Sequence, residues 1–178
     1  MPQSNHIGLT NISWFLLTEW LWMGGSFLLL SMLVVRYLSG SCAREIWTVF
    51  LTMQTVKWFV GALKSEFRLV EFPVRLFPYA THQDFVTDFA LCPTMAVLYA
   101  MFVRERTLRV QLFYALWFAA AYALWSWTMT RWTNLQVHLR WSSWFDFLLV
   151  LVMLPAVKRI SDWIVTTPTA VAEGQVRP

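Results

Sequence analysis

Long apolar runs alternate along the chain with short stretches that hold nearly all of its charge. The run 12–38 contains one fully charged residue before Arg36, Glu19, and reads as a first spanning helix. A shorter run, 46–63, is interrupted by Lys57. The remaining runs are 84–103, 108–129 and 141–160, the last containing Asp146 and Pro155. Each approaches the ~20 residues that a helix needs to cross hydrocarbon about 30 Å thick, at about 1.5 Å per residue. None alternates in the manner of a barrel strand, and all are too long for one. The expected fold is therefore an all-α integral membrane protein, a five-helix transmembrane bundle over 1–165 with a flexible polar tail at 166–178. If 46–63 lies on the surface, four spans and one interfacial helix remain. The first run lacks a basic leader and continues past the usual length of a signal peptide, so it is expected to stay as a span.

Composition agrees with a bilayer as the solvent. The 178 residues are 58% apolar and only 13% charged, against about 25% charged in soluble domains. Twelve Trp and fourteen Phe exceed what one small aqueous core hides. Intrinsic disorder and a disulfide scaffold are excluded. Cys42 and Cys92 have no metal spacing and read as plain thiols. The net charge of +4 is scattered between apolar runs, which suits anionic head groups rather than nucleic acid.

The basic residues also orient the bundle. Arg36, Arg44, Arg104, Arg106, Arg109, Lys158, Arg159 and Arg177 fall on one side, and Lys64, Arg68, Arg75, Arg131 and Arg140 on the other. The richer side is expected to be cytoplasmic, with the N-terminus outside and the C-terminus inside. Ala115, Ala119 and Ala123 recur every fourth residue on the fourth span, a stripe that permits close helix approach and offers a homo-oligomer contact. Pro93 and Pro155 each remove a helical hydrogen bond, and kinks are expected near Phe89 and Leu151. Trp14, Trp47, Trp132, Trp141 and Trp163 lie near span ends and read as interfacial anchors. Trp58, Trp117 and Trp125 read as core or lipid-facing.

Charges inside a membrane are costly, so their depth is informative. With antiparallel spans, Glu19, Lys57, Asp84, Asp88 and Asp146 all fall in the outer half. The same side receives two polar, aromatic loops, 68–85 with Arg75 and His82, and 131–141 with Asn134 and His138. These nine residues form the candidate ligand or lipid-binding set. Each also has a plainer role. Thr81 and Asp84 have capping-box spacing. Asp88 reads as a buried pair with Lys57, Arg75 or Arg68, or as a second acid sharing a proton or cation with Asp84. Lys57 reads as a snorkelling side chain. Asp146 is either a first-turn helix acid or a cavity residue. His82 and His138 read as interfacial hydrogen-bonding groups, and no metal site is expected.

No catalytic motif is present: there is no HExxH, GxSxG or phosphate loop, and no paired His for a haem. Lys158 beside Arg159 fits positive-inside anchoring. No cofactor is expected, and the balance leans away from an enzyme.

The stretch Leu69-Val-Glu71-Phe-Pro73-Val-Arg75-Leu-Phe-Pro78-Tyr-Ala-Thr81-His-Gln-Asp84-Phe-Val-Thr-Asp88-Phe, with Pro93 after it, resembles the centre of an uncharacterised family of short multi-helix membrane proteins from spore-forming Gram-positive bacteria. Trp132-Thr133-Asn134-Leu135, then Trp141, Trp144, Phe145 and Trp163, is similar to the family's C-terminal pattern. The family more often carries a polar residue or Lys where His82 stands. The resemblance covers residues 66–163 and implies a membrane fold in a bacterial plasma membrane, with no activity attached. Three functions stay open. The chain is a non-enzymatic membrane protein with an outward-facing ligand or lipid-head-group site. Alternatively it is a small transporter or channel subunit whose path is lined by Asp88 and Asp146. The third reading is a membrane enzyme using these acids with His82 or His138.

Overall fold

The computed structural model describes residues 21–22, 24–32, 34–36, 43–72, 87–133 and 136–174, the side chains of 167–174 excepted. Five α-helices dominate: α1 (Gly24–Arg36), α2 (Ala43–Glu66), α3 (Cys92–Phe102), α4 (Leu108–Trp132) and α5 (Ser143–Gly174). A π-helical turn, Thr87–Leu91, leads into α3. Two residues after α2, β1 (Val70–Glu71), pair antiparallel with β2 (Val137–His138), placing Val70 opposite His138 and Glu71 opposite Val137.

Among the described residues the fold is thus all-α apart from this clasp. Among the described residues, α2 and α4 are the two helices long and apolar enough to cross a membrane. At 24 and 25 residues they span about 36–38 Å. Both extend the expected runs, α2 by three residues at each end. Helix α3 with its π turn is shorter, about 24 Å over Thr87–Phe102, and the start of the expected third run lies outside the described residues. So does most of the first run ahead of α1. Helix α5 passes the expected end at 160 and continues through 166–174, the stretch expected as tail.

The two prolines do different things. Pro93 occupies the first turn of α3, where a missing N–H costs nothing. The irregularity expected near Phe89 takes the form of the π turn, and the Thr94 hydroxyl donates to the Ala90 carbonyl at 2.6 Å. Pro155 sits inside α5 without ending it.

Helices α2 to α5 alternate in direction. At the clasp end, β1 after α2 meets β2 before α5, and Lys64 meets Asp146. At the far end, Glu45 in the first turn of α2 lies 3.6 Å from both Arg104, after α3, and Lys158 on α5. Lys158 also donates to Asp162 one turn on. The short α3 is the centre of the bundle, with every residue from Cys92 to Ala100 buried. A helix apolar all round belongs in such a position. Val49 and Met53 of α2, Ala115 and Ala119 of α4, and Val150, Leu154 and Val157 of α5 close around it. The small residues of α4 therefore admit neighbours within the chain itself.

The outer surface is apolar. Leu51, Trp58 and Phe59 of α2, Phe113, Trp117 and Leu124 of α4, and Trp144, Leu148 and Val152 of α5 are all at least half exposed or nearly so. Only 17% of the most apolar stretch of α4, and 28% of that of α2, is buried inside the chain. The core helix of a soluble protein would be mostly buried.

Candidate functional site

The buried face of α2 reads Val49, Met53, Lys57, Gly61 and Lys64, spaced three or four residues apart. This helical spacing puts two lysines on one inward stripe, two turns and about 10 Å apart. Each meets an acid, and the two meetings form two layers.

In the layer nearer the clasp, Lys64 Nζ donates to Asp146 Oδ1 at 2.6 Å. Trp141 Nε1 donates to the same oxygen at 2.8 Å, and Ser126 Oγ donates to Oδ2 at 2.8 Å. Asp146 is 1% exposed, so its desolvation is offset by three donors rather than by water. The Lys64 ammonium also lies 4.4 Å from the centre of the Trp141 ring, within cation–π range. His138 stands beside this pair, with Nε2 3.8 Å from Asp146 Oδ2. The Gln136 side-chain amide donates to that nitrogen at 2.9 Å, placing the imidazole proton on Nδ1. Burial pushes the His138 pKa below its ordinary value, Asp146 pulls the other way, and Lys64 adds to the depression. The ring is held neutral.

In the deeper layer, Lys57 Nζ lies 3.1 Å from Asp88 Oδ1 and donates to the Tyr122 hydroxyl at 3.3 Å. Cys92, the buried free thiol at the start of α3, belongs to the same layer. The π turn widens the entry to α3 and presents Asp88 toward α2. On α4, Tyr122 and Ser126 are one turn apart on the buried face, so a single helix serves both layers.

Below Lys57 the polar stripe stops. Met53 and Val49 follow on α2, facing Ala96 and Ala100 of α3 and Leu154 and Val157 of α5 in one apolar core. Beside the deeper layer, a groove of about 330 Å³ between α1, α3 and α4 runs past Tyr122. Its walls include Leu29, Met95, Leu98 and Phe118, and Trp125 Nε1 donates to Ser26 Oγ across it at 3.1 Å.

Several expected site residues come together here: Lys57 with Asp88, and Asp146 with His138. Of the three partners expected for Asp88, Lys57 is the one found. Lys57 does not snorkel; it is 3% exposed, because the one buried stripe of α2 carries it inward onto Asp88 and Tyr122. Of the two roles open for Asp146, the structure shows the first-turn helix acid, here buried and paired with Lys64. Glu19, Arg75, His82, Asp84 and Asn134 lie outside the described residues. Lys64, expected in the outer loop, belongs to α2 and is buried, since that helix runs on to Glu66. Trp141, expected as an anchor, gives its N–H and its ring face to the Asp146–Lys64 pair. Sequence reasoning missed Lys64, Tyr122, Ser126 and Gln136. The seven-residue spacing of Lys57 and Lys64 was the available signal.

Among the described residues, no three His, Cys, Asp or Glu side chains form a group able to hold a metal ion. No protein-family model, curated protein or solved structure matches the chain.

Proposed function

We propose that this chain is a small, non-enzymatic, multi-pass protein of a bacterial plasma membrane that holds a lipid head group or small charged ligand at its clasp end. In this reading five spans cross the bilayer, with the N-terminus outside and the C-terminus in the cytoplasm. The observation that carries it is the reversed placement of polarity. Large aromatic and aliphatic side chains cover the outside, while Lys57, Lys64, Asp88 and Asp146 are buried and paired. A protein in water keeps such charges at the surface; one in hydrocarbon hides and pairs them.

The site belongs at the clasp end because both ion pairs lie in that half of the bundle. Exposed Trp132 and Trp144 flank it, at the level where indole rings settle among head groups. A binding role fits better than conduction because the polar stripe is blind. It descends from Lys64 to Lys57 and meets the apolar core of Met53, Val49, Ala96 and Ala100. The groove beside Tyr122 offers an acyl chain a surface contiguous with the deeper layer.

The experiment is purification of the full chain in mild detergent, followed by native mass spectrometry of what it retains. The expected result is one lipid class enriched over its share of the membrane, with retention reduced in Lys64→Gln. Retained lipid that mirrors bulk membrane composition, unchanged by Lys64→Gln, would overturn the reading.

A further inference from the structure

His138 faces the oxygen of Asp146 that Lys64 does not hold. Oδ1 already takes Lys64 and Trp141, whereas Oδ2 takes Ser126 alone, with His138 Nε2 3.8 Å away. That nitrogen is now an acceptor, engaged by the Gln136 amide. Protonation would make it a donor, which an amide NH₂ cannot satisfy. The acceptors within reach are then the Asp146 carboxylate and, after rotation of the amide, the Gln136 carbonyl oxygen, and the full charge of the carboxylate makes it the stronger of the two. The charged groups facing His138 are Asp146 from α5 and Lys64 from α2, with Ser126 of α4 contributing no charge. Lys57 and Asp88 neutralise each other in the deeper layer, and Glu66, Arg68, Glu71, Arg131 and Arg140, the remaining described charged residues at this end, are exposed.

We propose that protonation of His138 draws Asp146 away from Lys64 and thereby opens Lys64 to the phosphate of an anionic lipid head group. The inference rests on the head-group reading above and adds its ligand class and its control. The charge balance drives it. Lys64, Asp146 and neutral His138 sum to zero, and the imidazolium raises the sum to one positive charge. A lysine ammonium binds phosphate as a point charge, and the Trp141 ring 4.4 Å away keeps that ammonium in place when the carboxylate turns aside. The phosphate belongs to a lipid because this end of the bundle carries exposed Trp132 and Trp144. The depressed pKa of His138 places the change on the acidic side of the ordinary histidine value.

The test uses the full chain in nanodiscs containing phosphatidylglycerol and phosphatidylcholine, with retained lipid measured at about pH 8 and about pH 5.5, either side of the histidine range. The expected result is a several-fold rise in retained phosphatidylglycerol at the lower pH, with phosphatidylcholine unchanged. In His138→Gln, a mild change at a half-buried position, the rise should vanish. Lys64→Gln should lose phosphatidylglycerol at both pH values. Excess inorganic phosphate should not displace the lipid; displacement would overturn the lipid as the source of the anion. Equal retention by the wild-type chain at both pH values, or a rise that survives in His138→Gln, would overturn this inference alone. Absence of selective retention at either pH would overturn the head-group reading with it.

Discussion

Lys57 and Lys64 stand two turns apart on the buried stripe of α2, and each closes on an acid from a different helix. Lys57 reaches Asp88 at the entry to α3, and Lys64 reaches Asp146 in the first turn of α5. The two pairs tie three helices together at two depths, with Tyr122 and Ser126 of α4 bonded to one layer each. Four buried charges would be prohibitive singly. In pairs, with added donors, they set the register of the helices.

Removing the charge of Asp88 leaves Lys57 buried and unpaired. Asp88→Asn should cost about 3–5 kcal/mol, or roughly 6–20 °C in Tm at about 2–4 °C per kcal/mol for a chain of this size. The double variant Lys57→Met with Asp88→Leu should recover most of that loss. Thermal unfolding in detergent checks both. A small effect of Asp88→Asn, or a double variant worse than the single, would contradict the pairing.

Asp146 depends on donors that carry no charge. Ser126→Ala removes the hydroxyl from Oδ2, and Trp141→Phe removes the indole N–H from Oδ1 while keeping a ring near Lys64. Each should destabilise the fold by about 1.5–3 kcal/mol, as expected for a hydrogen bond to a charged group. Their combination with Lys64→Gln should be non-additive, because all three bond to one carboxylate. A double-mutant cycle by thermal unfolding reads the coupling directly.

The neutral His138 makes stability depend on pH in a definite direction. Its folded pKa lies below the ordinary value, because burial disfavours the imidazolium. The unfolded chain therefore binds the proton more readily as pH falls through about 6.5. Stability from this group is full above that pH and declines below it. Tm should be flat from about pH 8 to 7 and drop toward pH 5, and His138→Gln should flatten the drop. A Tm that rises on acidification, or a drop unchanged by His138→Gln, would contradict the assignment.

Much of this was legible in the sequence. The run 108–129 gave the start of α4 and came within three residues of its C-terminal end, because lipid-facing and core-facing positions are both apolar in such a helix. Asp88 was readable as one half of a buried pair, and Lys57 was among its named partners. What escaped reading came from the same source as what succeeded. An apolar-run criterion ends a helix at its last apolar residue, so 46–63 stopped one residue short of Lys64 and hid the second pair. A criterion of face would have kept it, since Lys57 and Lys64 share a stripe with Val49 and Met53. Tyr122, Ser126 and Trp141 stayed hidden for a different reason. Each is an ordinary residue in an apolar helix or at a helix end, and acquires its role only when α2, α4 and α5 pack together. Pro93 was read as a kink because a proline inside a long run removes a bond. In the fold the α-helix begins at Cys92, with that proline in its first turn, and the π turn precedes it.

The central claim is that the clasp and its two ion pairs belong to the outward end of a membrane-spanning bundle. It is tested most directly by labelling single cysteines in intact cells, in a background with Cys42→Ser and Cys92→Ala. Leu139→Cys, exposed beside β2, should react with a membrane-impermeant maleimide added outside. Arg106→Cys, in the turn between α3 and α4 at the opposite end, should react only after the membrane is permeabilised. Labelling of both positions from the outside, or of Arg106→Cys alone, would contradict the account.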